Sequence, residues 1–361
     1  MRVMICWHSI SGYMAACWRA LAAIPGVELL VVTQRPDLSG PAPFDASVVA
    51  GVRTEMLEPA RLNDPRSVVA VRDEFRPDVI VLNGWFVPAF NELARTPGSG
   101  ARAKIVMAMD RPRESVFKDH ATRVRKRSFL RCVDLVFVAG ERCREFARFL
   151  GFEERQIRRG TYGVDYEGLT PVAQARQDRA SAGGGWPRAF IYIGRYAPEK
   201  DLSTLLAGYA EYRSMVESSW ALNTCGKGEL AALLRGAPGV TDLGFVQPRE
   251  QPRMLGEQGV LVLVSKFEPW GAVVAEAAAA GLPLICSSAV GASVELVQPY
   301  HNGLVVAPGD VRGVARAMRW MHEHEDQLPA MGRRSREMAA GAGAGNWAVR
   351  WHEAFKDLLE E

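Results

Sequence analysis

Residues 264–291 read VSKFEPWGAVVAEAAAAGLPLICSSAVG, and an apolar run, Gly259 to Val264, leads into them. The run stops at a polar loop carrying Glu268 and Pro269, and an alanine-rich segment from Gly271 to Ala280 follows. That order predicts strand, loop, helix. Gly281 is a natural helix stop and Leu282 to Cys286 is a second short apolar run, so the unit reads as a βαβ crossover in a parallel sheet. In such sheets ligands bind outside the carboxyl ends of the strands, which is where the loop holding Glu268 falls.

Two acids distinguish this crossover. Glu268 lies in the loop and Glu276 about a turn and a half into the helix, with the helix start at Gly271, Ala272 and Val273 between them. The first free N–H groups and the helix dipole favour an anion there. At roughly 1.5 Å rise per residue, Glu276 stands about 7 to 8 Å along the axis from Gly271, comparable with the reach from a nucleotide's phosphates to its ribose. A nucleotide sugar fits this spacing, with ribose hydroxyls on Glu276, diphosphate on the helix start and sugar hydroxyls on Glu268. Two solvated surface acids are the alternative. Against it, a carboxylate without a partner is costly in a helix otherwise made of small apolar residues.

A second constellation lies upstream. The strand predicted over Arg188 to Ile193 runs into Gly194, Arg195, Tyr196, Ala197, Pro198, Glu199 and Lys200, ahead of a helix from about Leu202 to Tyr212. An arginine and a lysine five apart across a strand-to-helix turn can converge on one diphosphate, the first as a planar fork and the second as a point charge.

The segment FEPWGAVVAEAAAAGLPLICSSAVGASVELVQPYHNGLVV, residues 267–306, resembles the signature of the retaining glycosyltransferases of family four, and the G-R-x-x-x-E-K at 194–200 is similar to theirs. The resemblance implies an α/β protein of the GT-B fold: two Rossmann-like doubly wound domains facing across a cleft, with a C-terminal helix crossing back to the first. It implies transfer of a sugar from a nucleotide-diphosphate sugar to a hydroxyl acceptor with retained configuration, with no metal and no cofactor beyond the donor. Carried over residue by residue, Arg195, Lys200 and Glu268 are the catalytic candidates. Gly194, Gly226, Val246, Trp270, Gly271, Ala272, Val273, Glu276 and Gly12 are the donor-side candidates. His8 and Asn83 with Trp85, each at a predicted strand end, are candidates for acceptor or sugar contact. Many members of the family carry a histidine at the end of the strand that here is Lys104 to Met109. This chain has Met109 and Asp110, which makes Asp110 a further candidate and leaves the donor sugar open.

Length and composition agree with this reading. A chain of 361 residues, 48% hydrophobic and 24% charged, predicts two soluble α/β domains. The expected boundaries are an acceptor-binding domain over 1–169, a linker over 170–187, a nucleotide-sugar domain over 188–340 and a returning helix over 341–361. No apolar run reaches the length of a membrane span, and the N-terminus enters a strand pattern without the features of a signal peptide. Six scattered cysteines with no C-x-x-C pair predict reduced thiols and a cytoplasmic protein. A net charge of +3 does not call for nucleic acid, but Arg111, Arg113, Lys118, Arg123, Arg125, Lys126, Arg127 and Arg131 crowd one short stretch. A solvated face is the plain meaning; contact with an anionic membrane or a phosphate-bearing acceptor is the sharper one. Two other functions compete with transfer: a GT-B sugar-nucleotide epimerase, and a protein that binds nucleotide sugar without chemistry.

Overall fold

The computed structural model describes residues 1–96 and 102–360. The chain divides into two compact units, one of Met1–Pro36, Phe44–Gly163 and Ala344–Glu361, the other of Asp37–Pro43 and Val164–Gly343.

The first unit holds seven strands: β1 (Arg2–Cys6), β2 (Glu28–Gln34), β3 (Thr54–Leu57), β4 (Val79–Asn83), β5 (Lys104–Met109), β6 (Leu135–Val138) and β7 (Ile157–Arg159). They form one sheet in the order β3-β2-β1-β4-β5-β6-β7, parallel throughout. Central strands such as VMIC, VIVL and LVFV are continuous apolar runs because helices cover both faces of a parallel sheet. The order reverses between β1 and β4, so the loops after these two strands line the crevice where ligands bind in doubly wound sheets. The C-terminal helix, Ala344–Glu360, belongs to this unit. Its Trp351 stacks on Phe137 of β6 at 3.8 Å and on Trp347 at 4.6 Å. Both indoles donate to the chain just past β7, Trp347 to the Thr161 carbonyl at 3.0 Å and Trp351 to that of Gly160 at 2.9 Å.

The second unit holds β8 (Ala189–Ile193), β9 (Ala221–Cys225), β10 (Val240–Asp242), β11 (Val260–Leu263), β12 (Leu284–Ser287) and β13 (Gly303–Val306). Their order is β10-β9-β8-β11-β12-β13, again parallel. The switch point falls between β8 and β11. The two loops that follow these strands are 194–201 and 264–271, which hold the two constellations read from the sequence.

One expectation needs correction. The 170–187 stretch is no open linker: Thr170–Ser181 is a helix of the second unit. Its sequence hides this because a buried arginine, Arg176, makes the inward contacts, donating to the carbonyls of Ala280 and Leu255. The returning helix, expected over 341–361, starts at Ala344, inside the glycine-rich run before Trp347. After β9, Glu229–Leu234 forms a 3₁₀ turn.

Candidate functional site

In the second unit the site forms at the carboxyl ends of β8 and β11. Lys200 Nζ contacts Glu268 Oε2, with the two side chains only 11 and 13% exposed. Sequence reasoning gave them separate tasks; the fold makes them one ion pair. Their loops are tied by the main chain as well, since the N–H groups of Lys266 and Phe267 both donate to the Glu199 carbonyl, at 2.9 and 3.3 Å. Arg195 takes another partner. Its guanidinium meets Glu199 at 2.7 Å with half of the side chain in solvent, while Tyr192 donates to its backbone oxygen at 2.8 Å.

Two glycines shape this end of the sheet. Gly194 and Gly226 pass so closely that a Cβ on Gly226 would stand 2.0 Å from the Gly194 carbonyl oxygen. Gly271, at φ 91°, precedes the Ala272–Ala279 helix in the left-handed region, where a Cβ would lie 3.1 Å from Glu268 Cγ. No side chain caps this helix, and Ala272 and Val273 keep partial contact with solvent. The helix start can therefore accept an external anion. Trp270, expected as a donor contact, is buried, and its carbonyl accepts from Ala292 N–H at 2.8 Å.

Glu276 keeps part of its surface in solvent, on a helix otherwise made of alanines and valines. Burial pushes its carboxyl up from 4.5 to about 7; the neighbouring Asp165 adds to the rise and a hydrogen bond with the Gln251 side chain opposes it. A carboxylate in such surroundings is primed for hydroxyl donors. The Cys225 thiol, at the end of β9, accepts from the Val246 amide and senses the Glu276 charge, so Gly226, Val246 and Glu276 share one neighbourhood. Sequence reasoning missed Gln251 and Asp165.

In the first unit His8 is exposed just past β1, Asn83 ends β4, and Asp110 follows β5. Trp85 is 6% exposed and packs on Phe146 at 6.5 Å, so its ring belongs mainly to the core; one edge lines a small hollow with Asn83, Asp110 and Tyr162. Tyr162 OH donates to Asp110 Oδ2 at 2.7 Å. Tyr162 went unnoticed in the sequence as a partner of Asp110, 52 residues away. Gly12 opens the Gly12–Ala22 helix, and the buried Ser11 hydroxyl before it lacks a hydrogen-bond partner among the described residues. Among the described residues no group of three or more His, Cys, Asp or Glu is placed to hold a metal ion.

Two doubly wound units with these loops at their switch points have the architecture of the GT-B fold. The model for glycosyl transferases group 1 matches residues 175–338, and that for the glycosyl transferase 4-like domain matches residues 10–163. The chain belongs to this glycosyltransferase family. It is 28% identical over 325 residues to D-rhamnosyltransferase WbpZ of Pseudomonas aeruginosa, covering 85% of this chain and 81% of that one. Among solved structures, sucrose-phosphate synthase of Thermosynechococcus elongatus superposes with a TM-score of 0.77 at 19% identity, over 100% of this chain and 99% of that one. Anabaena Alr3699/HepE in complex with UDP-glucose superposes with a TM-score of 0.74 at 16% identity, over 99 and 100% of the two chains. At these identities the superpositions establish the fold.

Proposed function

We propose that this enzyme moves a sugar from a nucleotide-diphosphate sugar to a hydroxyl acceptor with retention of configuration, using neither a metal nor a further cofactor. The observation that carries the reading is the meeting of Lys200 and Glu268 at the β8–β11 switch point, beside the uncapped helix start at Gly271 and one and a half turns from Glu276. Breaking the anomeric C–O bond places negative charge on the departing diphosphate and positive charge on the sugar. Groups that meet those charges speed the step. Lys200, Arg195 and the 271–273 amides supply the positive side, which is the task a metal would otherwise perform. Glu268 orients the sugar hydroxyls, and Glu276, ionised, accepts from the ribose. The acceptor oxygen bonds to the anomeric carbon on the face the phosphate leaves, and its proton passes to the departing phosphate oxygen.

Arg195 needs to leave Glu199 to reach the donor, a swap its half-exposed position makes inexpensive. On the acceptor side, Asn83, Asp110 and His8 stand at the carboxyl ends of their strands, with Asp110 steadied by Tyr162. The protein works in the cytoplasm, where its six cysteines, five of them buried, stay reduced, and meets an anionic membrane surface through residues 111–131. No helix of the described residues is long and apolar enough to cross a membrane. Incubation of the purified protein with radiolabelled nucleotide sugars tests the reading: label is expected to move to a hydroxyl-bearing acceptor with the anomer preserved. Epimerised donor without transfer, or an inverted product, would refute it.

A further inference from the structure

A second ion pair joins the loops after β8 and β11. Besides the contact of Lys200 with Glu268, Lys266 Nζ donates to Asp201 Oδ1 at 3.0 Å. The two pairs are crossed. In the first the cation comes from the β8 loop, and in the second from the β11 loop. Each is built from chain neighbours, residues 200 and 201 on one side and 266 and 268 on the other, and the Lys266 N–H donates to the Glu199 carbonyl between them. The loops are therefore joined like the uprights of a short ladder.

Asp201 does not behave as an aspartate in its position ordinarily does. Its backbone is left-handed, at φ 54° and ψ 49°, a conformation that glycine takes freely and other residues at a cost. It is the N-cap of the helix Leu202–Met215, where an aspartate usually accepts from the free N–H groups of the first turn, yet its carboxylate makes no capping bond. Instead Oδ1 accepts from the Ser203 hydroxyl, at 3.0 Å, and from Lys266. The Asp201 side chain is 1% exposed and that of Lys266 56%, so the lysine reaches in from solvent to a buried acid. Neither backbone preference nor capping calls for a carboxylate here. Its charged partner on the other loop does.

The effect falls on the residue before it. Lys200 ends the 3₁₀ turn Pro198–Lys200, and the torsions of Asp201 set how that turn enters the helix. We infer that Asp201 is a positioning residue for sugar transfer: clamped by Lys266, it keeps the two loops in register, so that Lys200 stays aimed at the diphosphate once it lets go of Glu268. The inference builds on the donor site proposed above. A diphosphate that draws the Lys200 ammonium away opens the first ion pair, and the second one then holds the loops together.

Two readouts on the full chain test this. The first is steady-state kinetics with whichever of UDP-glucose, GDP-mannose and ADP-glucose the wild type turns over. Asp201→Gly removes the carboxylate but suits the left-handed backbone, so this variant is expected to fold. Its kcat should fall about tenfold, the scale of a slightly misplaced catalytic group, with the donor KM nearly unchanged. Lys266→Met should lose as much, and the double variant no more than either single one, since each breaks the same clamp. Asp201→Asn, whose amide oxygen still accepts from Lys266, should recover most of the rate. Full rate in Asp201→Gly, or losses that add in the double variant, would overturn the inference. The second readout needs no turnover: trace acetylation of Lys200 with acetic anhydride, followed by peptide mass spectrometry against the exposed Lys356. Lys200 should react about fivefold faster in Asp201→Gly and in Lys266→Met than in the wild type, the change in loop opening that a half-exposed ion pair controls. Equal Lys200 rates in the three proteins would overturn the inference as well. Protection of wild-type Lys200 by UDP, GDP or ADP reports on the donor site separately; its absence would count against that site, while the clamp is still judged by the Lys200 rates.

Discussion

Among single residues, Lys200 stands at the centre of the site. Its ammonium is buried against Glu268, so removing it takes away a cation from the leaving group and also strands a carboxylate in a low-dielectric loop. Lys200→Ala is expected to lower turnover by at least about 100-fold and to cost roughly 3–5 kcal/mol of stability. The double variant K200A/E268Q should recover most of the stability and none of the turnover, because a neutral amide needs no counter-charge. Steady-state rates and urea melts of the two variants check this; recovery of turnover in the double variant would contradict the assignment. Glu276 gives a second residue-scale prediction. Since its folded pKa lies above the ordinary 4.5, its contribution to stability is fully present below about pH 4.5 and is lost as pH rises through about 7. Binding runs the other way. A carboxylate that accepts from two ribose hydroxyls must be ionised, so below pH 7 donor affinity should fall by up to about tenfold per pH unit. Titrations at pH 5.5, 6.5 and 7.5 are expected to show that slope in the wild type and a flat, weak response in Glu276→Gln.

Among elements, the β11–loop–helix junction is the one whose geometry leaves least freedom. Gly271 combines a left-handed φ with a Cβ position crowded by Glu268 Cγ and Val290 Cγ1, at 3.1 and 3.2 Å. Gly271→Ala should therefore cost about 1–2 kcal/mol in backbone conformation and more as Glu268 is pushed off Lys200, and nucleotide affinity should drop with it. Calorimetric titration would show this, and unchanged affinity would mean that the helix start is not where phosphate binds. This junction was legible in the sequence because each of its parts has its own signal: an apolar run, a polar loop, a glycine, then small residues to a glycine stop. The helix Thr170–Ser181 was not, because Arg176 and Ala173 make its buried contacts and neither reads as a core residue. Strands β3 and β7 were equally hidden. Thr54–Leu57 includes Thr and Glu at the sheet edge, and Ile157–Arg159 offers one apolar residue in three. Side-chain pairing escaped the sequence too: 68 residues separate Lys200 from Glu268, and nothing in their local patterns links them.

For the molecule as a whole, two sheets of the same design carry different kinds of loops. The second unit gathers cations, an uncapped helix start and two acids, while the first presents His8, Asn83 and the Asp110–Tyr162 pair. The last helix returns to the first unit and is part of its core, with Trp347 and Trp351 wholly buried. Trp351→Ala should cost about 3–5 kcal/mol and lower the urea midpoint, yet leave nucleotide affinity intact, since every proposed donor contact apart from Gly12 lies in the other unit. The most direct measurement is titration of the wild type, Lys200→Ala and Glu276→Gln with UDP, GDP and ADP. One of these nucleotides is expected to bind the wild type and to bind each variant at least about tenfold more weakly. Binding that both variants retain in full, or failure of all three nucleotides to bind the wild type, would contradict the claim that the β8 and β11 loops grip the donor's diphosphate.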